Sequence, residues 1–173
     1  MSAAQTARIK RLFIWVVFVC LLLRSNELCI AKDKNRPCPE PQVVKDPKFR
    51  PGQVWQYKTR PDEQSSTLTI LRIESLPKLG AIVHVRVDKI RLRNCTGGPE
   101  PDKFKHMPFA RDAIERSVLK LLKEDSDIPD FEDGYDEWRK ACGGVYTITV
   151  AEAIKVGEDT FNKGLGCKPP KGG

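Results

Sequence analysis

The chain has 173 residues, of which 40% are apolar and 31% charged. That composition excludes a disordered chain, and once a targeting segment at the front is set aside it leaves room for one domain but not two. The net charge of +7 drops when the basic N-terminus is removed and is then too mild to argue for a nucleic-acid partner.

Arg8, Lys10 and Arg11 precede an unbroken apolar run over residues 12–23 (LFIWVVFVCLLL). Twelve helical residues reach roughly 18 Å, short of a bilayer core, and a basic stretch before a short apolar one is the pattern of an export signal. The small residues Cys29 and Ala31 allow cleavage before Lys32, which makes residues 1–31 a signal peptide. Arg24, directly after the run, leaves a retained short anchor as the alternative. Residues 32–52 carry five prolines and six Lys/Arg and read as an extended lead-in, because Pro fixes φ and removes a donor.

The folded domain is expected over residues 53–163. Three strand-like runs open it: residues 53–59 (QVWQYKT), 67–74 (TLTILRIE) and 81–87 (AIVHVRV). Their β-branched alternation and short breaks predict an antiparallel meander. The apolar phase flips after Asp88, so a bulge or bend is expected at Asp88–Lys89. Beyond it Lys89, Arg91 and Arg93 share one face of the strand and Ile90 and Leu92 the other. Such a basic ridge can grip an anionic polymer or a lipid headgroup, or it can simply protect an exposed strand.

Residues 96–102 form a loop on turn chemistry. The period then turns helical, with Pro108 in a first turn and Ile114, Val118, Leu121 and Leu122 as a stripe through Lys123. A second helix is expected from Phe131 to Ala141, with Asp130 as N-cap and Phe131, Tyr135 and Trp138 on one face. Residues 145–149 read as a strand running into a helix over 150–163, with a capping box at Thr149–Glu152. Residues 164–173 form a Gly/Pro/Lys-rich tail expected to fray. The fold expected is α+β: a curved antiparallel sheet of three to five strands with two or three helices on one face.

Cleavage would leave Cys38, Cys95, Cys142 and Cys167, an even set that pairs in an oxidising compartment. Of the three connectivities, Cys38–Cys167 with Cys95–Cys142 is the expected one, because it ties the two Pro-rich ends together. No C-x-x-C spacing and only two histidines argue against zinc. His106 is expected to open the first helix, where it could bind an anion or relay a proton; His84, among valines on a strand, reads as structural or surface. The acidic stretch over residues 124–137 fails as an EF-hand loop, since Pro129 and Phe131 fall on ligand positions. Asn94-Cys95-Thr96 matches a glycosylation sequon and is taken as chance. No hydrolase, zinc-protease, P-loop or dinucleotide motif occurs, and no cofactor is implied.

Gly52-Gln53-Val54-Trp55, Tyr57-Lys58-Thr59-Arg60-Pro61 and His106-Met107-Pro108-Phe109, in that order, resemble boxes of a group of small bacterial proteins to which no function is attached. The resemblance spans roughly residues 52–154 and implies a bacterial host with a periplasmic or cell-surface location. The leading functional expectation is an exported, non-enzymatic module that binds another envelope protein or an anionic polymer or lipid. The alternative is a small extracytoplasmic hydrolase using His106, and a third is a purely structural envelope protein with no pocket. A cleft with His106 against an Asp or Glu would mark the enzyme, and a packed-away His106 the binder.

Overall fold

A computed structural model describes residues 38–167. The apolar run at 12–23 and the last residues of the tail lie outside that range. Among the described residues no helix is long and apolar enough to cross a membrane.

The chain forms β1 (Gln42–Val43), β2 (Val54–Tyr57), β3 (Thr67–Leu76), β4 (Gly80–Asp88), β5 (Lys103–Ala110), helix α1 (Arg111–Ser117), β6 (Val118–Lys123), α2 (Glu132–Lys140) and α3 (Val150–Gly164). The sheet is antiparallel in the order β5-β4-β3-β2-β6, with β1 added to β3 beyond the reach of β2. This is the expected α+β fold with a curved, open sheet.

Period-two alternation gives the sheet two apolar faces. Leu68–Val87, Ile70–Val85 and Ile73–Val83 are cross-strand pairs, and they are buried with Trp55, Tyr57, Met107 and Phe109 in one core cluster. Two helices cover this face, α1 through Ala113 and Ile114, and α3 through Val150, Ala153 and Ile154. The other face carries the pairs Arg72–His84 and Glu74–Ile82. There Leu71, Leu76 and Ile82 pack against Phe131, Tyr135 and Trp138, so α2 covers the face opposite the other two helices. The aromatic face anticipated for the second helix is the one it buries.

The long helix expected over 108–123 is replaced by the end of β5, a seven-residue helix and β6. Pro108 sits in β5, an end strand of the sheet, where a missing N–H costs little. β6 pairs with β2 with register shifts at Val54/Trp55 and Gln56/Tyr57. Those shifts break the two-residue alternation, and the partly buried Val118 and Leu121 end up three apart, a spacing that mimics a helix. Cross-strand pairing overrides it. The expected strand at 145–149 reduces to one parallel bridge, Tyr146 to Phe109. Thr149 does cap α3, accepting the Glu152 N–H while its own N–H donates to the Glu152 carboxylate.

The lead-in is corrected from Cys38 onward: it is part of the packed unit rather than a spacer. Phe49 is fully buried against Trp55, with ring centroids 5.6 Å apart. Asp46 accepts the N–H groups of Lys48 and Phe49 and binds Arg111 Nε at 2.8 Å. Proline removes donors but does not prevent apolar side chains between prolines from docking.

The cysteines pair as Cys38–Cys142 and Cys95–Cys167, which overturns the expected Cys38–Cys167 and Cys95–Cys142. The Cα separations, 5.0 and 6.4 Å, fall within the bridging range. The first bridge pins the lead-in to the end of α2. The second pins the loop at Cys95 to the end of α3, where Asn162 accepts the Cys95 N–H and donates to the Arg93 carbonyl. Disulfides of this kind persist in oxidising compartments.

A Cys38→Ser/Cys142→Ser variant is expected to lose about 2–4 kcal/mol of stability, because the bridge closes a loop of 104 residues whose unfolded-state entropy it restricts. Denaturant unfolding with and without reductant checks this. An unchanged midpoint would count against the bridge.

Candidate functional site

Two polar constellations emerge, one around residues 89–93 and one beneath α2. Residues 89–93 follow β4 through Lys89, whose φ of 57° places it in the left-handed region rarely used by non-glycine residues. The turn falls where the sequence phase flips. The segment then runs extended without being a ladder strand, held by Ile90 N–H to the Asp102 carbonyl and Leu92 N–H to the Pro101 carbonyl. Ile90 and Leu92 are buried and Lys89, Arg91 and Arg93 exposed, so the spacing places the three cations on the solvent side.

Arg91 and Arg93 line a cleft of about 440 Å³ with Arg60, Asp62, Glu63 and Lys155 among its other walls. Its carboxylates are largely engaged. Glu63 is nearly buried, holds the Arg60 guanidinium and accepts the Arg91 N–H. Burial would raise its pKa, but these contacts outweigh burial and hold it below the ordinary glutamate value. Glu158 binds Arg60 at 3.3 Å and accepts the Arg93 N–H. Arg60 is correspondingly held above its usual value, chiefly by Glu63. The Arg91 side chain turns to Glu100. Among the described residues the Lys89 and Arg93 side chains have no ion-pair partner within 4.0 Å.

The second constellation contains both histidines. His106 does not open a helix; it lies in β5, since the strand continues to Ala110. His84, on neighbouring β4, is fully buried. The imidazoles meet at 2.9 Å, His84 Nδ1 to His106 Nε2. On its other side His84 Nε2 is 3.3 Å from Glu74 Oε2, without the alignment of a hydrogen bond. A carboxylate there favours the proton on His84 Nε2, so that Nδ1 accepts from His106. Glu74 is 1% exposed and receives the Tyr135 hydroxyl at 3.0 and 2.9 Å on its two oxygens. Arg72 Nε is 2.6 Å from Glu74 Oε1, and its guanidinium lies over the Tyr135 ring.

Aromatic edges close the remaining sides. His84 contacts Tyr135 and Trp138, and His106 stacks near Phe131. Helix α2 approaches closely because Gly134 has no side chain; a Cβ there would lie 2.9 Å from His106 Cβ. Burial lowers the pKa of His84 to about 3, helped by His106 and Arg72, and that of His106 to about 4. Burial, and then the Glu74 carboxylate, raise the Tyr135 pKa.

Among the described residues His106 therefore reaches a carboxylate only through His84, and the main cavities there are lined by neither histidine. Glu74 and Tyr135 are the members that sequence reasoning missed. The available signal was a charged residue inside an apolar strand run with a histidine in the strand that follows. No family model matches the chain, and no curated protein or solved structure matches it.

Both imidazoles have folded pKa values below the ordinary 6.5, so the unfolded chain binds more protons as pH falls below that value. The stability from their neutral forms is complete above pH 6.5 and is lost as pH falls through the folded values near 4 and 3. Carboxylates held low in the fold, such as Glu63, add their own loss toward about pH 4.5, so the imidazole part of the slope is read as the difference between the protein and a variant that lacks one imidazole. His106→Gln can still donate to His84 Nδ1 but does not titrate, and it should reduce that slope by up to about one proton. Denaturation midpoints at pH 6.5, 5.5 and 4.5 read it; an identical slope in the variant would refute the assignment.

Proposed function

We propose that the protein is an exported, non-enzymatic binding module that contacts an anionic envelope component through Lys89, Arg91 and Arg93. The observation that carries this reading is the exposure of all three cations, of which Arg91 and Arg93 line a cleft whose acidic groups are mostly occupied. An anion entering there meets an Arg93 side chain that makes no ion pair of its own among the described residues, while Glu63 and Glu158 are held by Arg60 and by backbone N–H groups. Asp62 and the Arg91–Glu100 pair moderate the charge, so contact of ordinary electrostatic strength is expected. The basic and apolar N-terminus and the two disulfides support delivery to an oxidising compartment.

The second reading is a hydrolase using His106. It is favoured by the Glu74–His84–His106 chain, in which a carboxylate orients one imidazole and that imidazole accepts from the next. Such a chain could make His106 Nδ1 a base. Against it stand the aromatic cover of α2 and the location of the main cavities elsewhere.

The proposal is tested by fusing residues 1–31 to a reporter active only outside the cytoplasm, and by binding to vesicles of anionic phospholipid. Export is expected to vanish with Val16→Asp/Val17→Asp. Vesicle binding is expected to weaken steeply from low to physiological salt, where screening acts over ~8 Å, and to fall about tenfold in the Lys89→Gln/Arg91→Gln/Arg93→Gln variant. Undiminished binding in that variant would overturn the contact, and hydrolysis lost only in His106→Gln would favour the second reading.

A further inference from the structure

A groove of about 810 Å³ lies between the lead-in, the middle of β3 and the segment leading into α2. Its floor and walls are apolar: Val43, Val44, Leu71, Ile73, Ile128 and Phe131 all line it. Val43 and Ile128 remain 69% and 47% exposed, so the groove presents apolar surface to water. The volume lies in the range that encloses a small organic ligand.

The polar rim has a definite sign. Lys45, Asp46, Arg50 and Arg72 line the groove. Asp46 is neutralised by Arg111 and nearly buried, while Arg50 is paired with Glu124 at 2.6 Å. Lys45 is exposed and has no ion-pair partner among the described residues. The Arg72 side chain, 35% exposed, is spent on the buried Glu74 carboxylate 2.6 Å from its Nε. One unpaired cation, Lys45, thus faces an apolar trough in which the other charged groups are spent.

We propose that this groove binds a single-chain amphiphile with an acidic headgroup, of the fatty-acid type, with its chain along Leu71, Ile73 and Ile128 and its carboxylate at Lys45. Apolar contact supplies the affinity, which rises by up to roughly fourfold per enclosed methylene. The rim supplies the preference for an anion. This site is separate from residues 89–93 and does not depend on them.

Calorimetric titration of the full chain with dodecanoate, below its micellar concentration, tests the proposal, with dodecanol as the uncharged comparison. One saturable site is expected, with dodecanoate preferred. Ile128→Glu, on an exposed side chain, should weaken both ligands at least tenfold without lowering the unfolding temperature. Lys45→Gln should weaken dodecanoate several-fold and leave dodecanol unchanged. No saturable uptake would overturn the proposal, as would uptake that Ile128→Glu leaves intact, including uptake by the apolar residues 12–23. Equal affinity for the two ligands, insensitive to Lys45→Gln, would overturn the headgroup assignment. Binding to anionic phospholipid vesicles without dodecanoate binding would overturn the single-chain ligand.

Discussion

A carboxylate at 1% exposure inside a β-sheet, Glu74, cannot stand without partners. An unpaired buried charge is among the costliest features a fold can carry. Arg72, His84 and the Tyr135 hydroxyl surround it, and only the last comes from outside the sheet. Tyr135 thereby gives α2 a polar anchor point, while Phe131 and Trp138 bury the apolar surface around it. The docking of the helix follows from satisfying one residue of β3.

What lies beyond α2 depends on that docking. Trp138 Nε1 donates to the Gly144 carbonyl, folding the end of the helix back so that Cys142 meets Cys38. The bridge fixes the start of the described chain, and β1 then pairs Val43 with Glu74 itself. The lead-in, held at both ends, forms one wall of the apolar groove and Phe131 another. The opposite face follows a simpler logic. Its core is apolar, and the ion pairs that Arg60 makes with Glu63 and with Glu158 of α3 lie in the cleft rather than in that core. One sheet thus has a face built chiefly by hydrophobic burial and a face built around a charge.

The sequence was legible where one periodicity ruled and opaque where two competed. The alternation of β3 and β4, the capped start of α3 and the aromatic stripe of α2 each rest on local chemistry, and each is found close to its expected place. The segment 103–123 misled because Pro108 suits both a first helical turn and an end strand, and because the bulged register of β6 spaces Val118 and Leu121 as a helix would. The disulfide pairing was not legible, since connectivity depends on where α2 and α3 end in space. At the candidate sites, the exposure of Lys89, Arg91 and Arg93 followed from two-residue spacing. His106 was placed on the wrong element, and its link to His84 and Glu74 required the register of three strands.

Native-state amide exchange on a Tyr135→Phe variant tests the dependence of this face on Glu74 most directly. The change removes one hydroxyl and keeps the ring, so packing is preserved while the buried carboxylate loses a donor. A loss of about 1.5–3 kcal/mol is predicted, as for a hydrogen bond to a charged group, with faster exchange concentrated in Glu132–Lys140 and at Gln42–Val43 while Val150–Gly164 keeps its protection. Unchanged protection in Glu132–Lys140, or a loss spread evenly over both faces, would contradict the account.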